Sequence, residues 1–87
     1  MATRQSMEEF LQKCEDTIRY AQEQFKQSSL QEQYNNENYT SALQGLESTY
    51  NELCDLAHSA NAQQREQLHR MRLQLQQVQN NMILEGH

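Results

Sequence analysis

Eighty-seven residues, 36% of them hydrophobic and with a mean hydropathy of −1.06, suffice for one modest core in a single domain. The formal net charge of −5 is opposite in sign to that of a typical nucleic-acid binder, and the longest apolar run, Met82-Ile83-Leu84, is far too short to span a bilayer. There is no proline and only two glycines, which removes the strongest helix breakers and most tight-turn chemistry.

The remaining composition favours helix throughout, rich in Gln, Glu, Leu, Met, Arg and Ala. Fifteen glutamines and seven asparagines make the polar surface mainly neutral amide. Residues 1–61 hold four Lys/Arg against ten Asp/Glu, a net of −6, whereas residues 62–87 hold three Arg against two Glu, a net of +1. An acidic first two-thirds is therefore followed by a weakly basic last third.

The first helix is expected over about residues 6–33. Its stripe reads Met7, Leu11, Cys14, Ile18, Ala21, Phe25 and Ser28, in steps of three and four that fall on one narrow face. Ser6-Met7-Glu8-Glu9 fits a capping box, with the serine hydroxyl and Glu9 each covering a free amide, and Glu8 and Glu9 suit the positive end of the helix dipole. Tyr34-Asn35-Asn36-Glu37-Asn38 reads as the first break, because asparagine tolerates the left-handed conformation and caps the next helix.

The second helix is expected over about residues 36–59, on a stripe of Tyr39, Leu43, Leu46, Tyr50, Leu53, Ala57 and Ala60. Ala42, Cys54 and Leu56 widen that stripe, as a middle helix with two neighbours requires. Gly45 sits inside it at a cost of roughly 1 kcal/mol relative to alanine. His58 to Gln64 form a weaker break, where Asn61 is placed to cap a third helix and Gln64 to return the bond. The third helix spans about residues 62–84 on Leu68, Met71, Leu75, Val78 and Met82.

Two all-α architectures follow. One is an antiparallel three-helix bundle. The other is a long helical hairpin, with residues 36–84 unbroken, that dimerises into a four-helix bundle; read without a turn, the stripe stutters near Gln64. The similar helix lengths favour the three-helix bundle.

No phosphate loop, nucleophile elbow or zinc-protease motif is present, and a slim bundle leaves little room for converging reactive groups. The expectation is a protein that is not an enzyme and takes no cofactor and no small-molecule substrate. Cys14 and Cys54 read first as free thiols in a reducing compartment. If the chain reverses near residue 35, Cys14 comes level with about residue 56, close to Cys54. His58, one turn after Cys54, then completes a set of three soft ligands for a thiol or metal sensor. No metal is assigned on that spacing alone.

Arg65, His69 and Arg72 share one side of the third helix, with Arg70 nearby. Their ordinary role is a solvated face or pairing with the acidic helices; weak nucleic-acid binding is the more specific alternative. Leu73 lies on the far side from the core stripe, and Ile83 and Leu84 also lie off it. Scattered exposed leucines are ordinary, but several among neutral amides form a candidate docking strip for a protein partner or a second copy. The candidate interface is therefore Arg65, His69, Arg72 and Leu73.

The segment from Gln63-Gln64-Arg65-Glu66-Gln67-Leu68-His69-Arg70-Met71-Arg72-Leu73 to Asn80-Asn81-Met82-Ile83-Leu84 resembles the YtzC-like family of small uncharacterised proteins from Bacillus-type bacteria. The similarity extends over the whole chain and is strongest here. The resemblance implies a bacterial, cytoplasmic protein with no assigned activity, and it carries no catalytic or binding residue across. The expected work of the chain is protein–protein contact or self-association, with no membrane involved.

Overall fold

Three proline-free segments with apolar residues at helical spacing become three helices: α1 (Arg4–Gln31), α2 (Glu37–His58) and α3 (Ala62–Glu85). The computed structural model describes residues 4–31 and 37–85, with residue 31 described by its backbone alone. Among the described residues there is no strand. The helices pack pairwise as an antiparallel three-helix bundle of 43 × 20 × 15 Å. The long dimension matches 28 residues of α1 rising 1.5 Å each.

The turn between α2 and α3 decides the architecture. The amide of Ser59 donates to the Leu56 carbonyl at 3.2 Å, and that of Ala60 to the Ala57 carbonyl at 3.4 Å, so the last turn of α2 tightens and stops. Asn61 then caps α3. The Gln64 amide donates to Asn61 Oδ1 at 2.8 Å, and the Asn61 amide donates to Gln64 Oε1 at 3.1 Å. The two residues thus bond each other reciprocally, as in a capping box. The Asn61 carbonyl accepts the first bond of α3 from the Arg65 amide at 2.9 Å. The unbroken helix over 36–84, and the dimeric four-helix bundle built on it, are thereby set aside.

The start of α1 differs from the capping-box expectation. The helix is already formed at Arg4, whose guanidinium pairs with Glu8 at 3.5 Å, and Gln5 donates to Glu9 at 3.4 Å. These i, i+4 contacts extend the helix past Ser6, which lies inside it. Glu8 and Glu9 consequently fall in the second turn, where the dipole effect fades. The expected end of the first helix at residue 33 and the break at 34–36 lie outside the described residues.

The stripes reach the core. Met7, Cys14, Ile18 and Ala21 are buried on α1, with Leu11 and Phe25 half-buried at the edges. All five stripe residues of α3 are buried. On α2 the buried set is Tyr39, Ala42, Leu46, Thr49 and Leu53, whereas Leu43 and Tyr50 are half-buried. Ala42 and Thr49 share the core face with the fully buried Tyr39 and Leu46, and Leu43 and Tyr50 border it. Tyr50 keeps its hydroxyl at that border, where it accepts from Gln76 Nε2 at 3.2 Å.

Two cross-links fix the register. Lys13 Nζ sits 2.8 Å from Glu52 Oε2, and the Thr17 methyl lies against Gly45. The level of Cys14 on α2 therefore falls between Gly45 and Glu52, short of residue 56. At the far end the Tyr39 hydroxyl donates to the Met82 carbonyl. That carbonyl belongs to the last turn of α3, so the bond supplies a partner to a helix-terminal acceptor inside the core.

Candidate functional site

The third helix presents two separate surfaces, and the four expected interface residues divide between them. Leu73 points away from α1 and α2, 49% exposed. Leu84, 72% exposed, lies eleven residues on, or three turns, and so shares the same outward side. The exposed side chains between them on that side are Gln77 and Asn80. The strip is uncharged from Leu73 to Leu84. Arg70 lies at its edge, held 2.8 Å from Glu66. Ile83 is 43% exposed and lies off that strip.

Arg65, His69 and Arg72 border the groove between α3 and α2, across from Cys54 and His58, over a floor that includes Leu53 and Leu68. Arg65 Nε donates to the Ala57 carbonyl at 3.1 Å, tying α3 to the C-terminal turn of α2. Arg72 Nη2 lies 3.0 Å from His69 Nδ1. A guanidinium only donates, so Nδ1 is the acceptor in this contact. Among the described residues Arg72 Nε is buried and makes no hydrogen bond. His69, one turn before Leu73, is the link between groove and strip.

Charge is unevenly matched here. Arg4, Lys13, Arg19 and Arg70 each pair with a carboxylate. Arg65 and Arg72 pair with none among the described residues. The basic side expected of α3 is thus split: Arg70 is compensated on the outside, and the other two turn inward to the groove.

The cysteines are free and occupy different places. Cys14 is buried in the core. Burial first, then the charges of Glu52 and Glu15, push its thiol up to about 11, with Lys13 opposing them. Cys54 is half-buried in the α2–α3 groove. The trio of Cys14, Cys54 and His58 is therefore not brought together. Among the described residues no group of three His, Cys, Asp or Glu is arranged to hold a metal ion.

The meeting of Cys54 and His58 with Arg65, His69 and Arg72 was legible in principle. A reversal at Asn61 sets residue 54 level with about residue 68. Inspection of each helix by itself does not reveal it.

Comparison with known proteins agrees with the resemblance already noted. A family model described as a protein of unknown function, DUF2524, matches residues 1–84. The chain is 56% identical over 85 residues to the "Uncharacterized protein YtzC" of Bacillus subtilis (strain 168), covering 98% of this chain and 94% of that protein. No solved structure matches. No helix among the described residues is long and apolar enough to cross a membrane.

Proposed function

Since the chain belongs to DUF2524, a family of unknown function, we propose that it is a non-enzymatic helical protein whose work is protein–protein contact, with self-association through the outward strip of α3. Leu73 is the anchor and Leu84 the second apolar contact. His69 stands at the rim, and Arg65 and Arg72 lie behind it in the groove. The exposure of Leu73 and Leu84 three turns apart, on the side turned away from a closed core, carries this reading.

A second copy is the favoured occupant because the strip is neutral and self-complementary. In an isologous pair the same surface meets itself. Antiparallel α3 helices set Leu73 of one copy beside Leu84 of the other, with amides between and no like charges opposed. One helix face buries less than the roughly 800 Å² per partner of a standard interface, so the association is weak and concentration-dependent.

Sedimentation equilibrium of the full chain tests this. The wild-type mass is expected to rise toward that of a dimer as concentration increases into the high-micromolar range, and Leu73→Glu is expected to remain a monomer with unchanged helicity. A mass that stays monomeric throughout, or one that Leu73→Glu leaves unaltered, removes self-association through this strip.

A further inference from the structure

We infer that the groove between α2 and α3 is a binding site for a small organic anion, an apolar body carrying a carboxylate or phosphate head, independent of the outward strip. The head group is placed by Arg72. Its Nε is buried without a hydrogen-bond partner among the described residues, and its Nη2 uses one hydrogen on His69 Nδ1 while keeping a second. Nε–H and Nη2 stand on one edge of the guanidinium, the edge that recognises a planar or tetrahedral oxyanion. A buried guanidinium hydrogen without an acceptor is costly, so this edge favours an incoming oxygen.

The surroundings agree in charge and in shape. Arg65 lines the same groove, and among the described residues neither arginine meets a carboxylate. Among the described residues no Asp or Glu lines the groove. In a chain of net charge −5, whose other arginines are paired with acids, this is a local excess of positive charge. Leu53 and Leu68 beneath it supply apolar surface for the body of the ligand. An anion that is apolar at one end satisfies both; a bare cation satisfies neither. Cys54, half-buried opposite Arg65 and His69, is a built-in reporter of occupancy.

The experiment follows alkylation of Cys54 by iodoacetamide in the full chain at low ionic strength. Octanoate, inorganic phosphate and octanol are the three additions. Octanoate is expected to slow the reaction saturably, phosphate to do so more weakly, and octanol not at all. A conformational control is the amide NMR spectrum, in which octanoate is expected to move the signals of residues 54–58 and 65–72 and leave α1 unmoved. Arg72→Gln is expected to weaken octanoate binding by about tenfold or more, the loss of a charge-assisted contact. Arg70→Gln, on the outer face, is expected to leave it unchanged. Absence of protection by both anions overturns the site. Equal protection by octanol reduces the groove to an apolar pocket and overturns the role of Arg72, as does an equal loss in Arg70→Gln. The wild-type protection and NMR arms stand whether or not a variant folds.

Discussion

Gly45 faces Thr17, yet the space between them does not call for a glycine. A β-carbon built at residue 45 would lie 3.9 Å from the Thr17 methyl, an ordinary van der Waals distance. Nothing there requires a missing side chain, so the helix bears the full flexibility cost of glycine. Gly45→Ala is expected to raise stability by about 1 kcal/mol, read as a higher urea midpoint with an unchanged slope. Cys14 gives a second residue-scale outcome. Its folded thiol titrates at about 11 against 9.0 for an unburied thiol. Between those values the unfolded chain gives up a proton that the folded chain keeps. Stability is complete below pH 9 and falls as pH rises through 11, by roughly 2–3 kcal/mol for this group. Urea titrations between pH 8 and pH 11 are expected to show a steeper decline for wild type than for Cys14→Ala.

Residue spacing conveyed some of these placements and not others. Leu73 was legible as exposed because a helix of fixed pitch leaves it opposite Leu68, Met71 and Leu75. Thr49 was not, because its hydroxyl marks it as polar, although its position between Leu46 and Leu53 is a core position by pitch alone. Cys14 and Cys54 were drawn together by a reversal assumed at residue 35. The true register depends on how Thr17 settles on Gly45 and Lys13 on Glu52, which are contacts between helices and invisible to spacing within one.

At the scale of the element, the α2–α3 joint turns on Asn61. The stutter near Gln64 left a bend and a continuous helix both open, and only hydrogen bonds separate them. Asn61→Ala removes the acceptor for the Gln64 amide and is expected to cost about 1 kcal/mol, measurable by chemical denaturation. Circular dichroism is expected to show unchanged helix content in the native baseline, since the tightened turn before residue 61 also ends α2. The N-terminus of α1 is the opposite case. A capping sequence was present, but the helix began earlier, because Arg4–Glu8 and Gln5–Glu9 support a turn that the serine cap would have forgone. Local signals announce where a helix can start; side-chain pairs upstream decide where it does.

Over the whole molecule, the three-helix fold was legible because three stripes of matching length have one economical way to be covered. The two surfaces of α3 were not separable by pattern alone, since Arg65 and Arg72 look as exposed as Arg70 until α2 is placed beside them. A thin core makes the contrast between the two sides of α3 measurable. Leu75 is fully buried, and Leu75→Ala is expected to cost about 2–5 kcal/mol of a total near 4–13 kcal/mol for 87 residues. Leu73→Ala at concentrations where the chain is monomeric is expected to stay within about 0.5 kcal/mol of wild type. Thermal unfolding of both variants is the check, and an equal loss would mean that Leu73 belongs to the core.

The joint between α2 and α3 is locked by two carboxamides, where the commoner version of that lock uses a glutamate. Neither Asn61 nor Gln64 gains or loses a proton, and their bond carries no net charge for dissolved ions to shield. Acidification or brine therefore finds no handle at this corner, and the elbow should keep its angle under conditions that loosen the ion pairs along the rods.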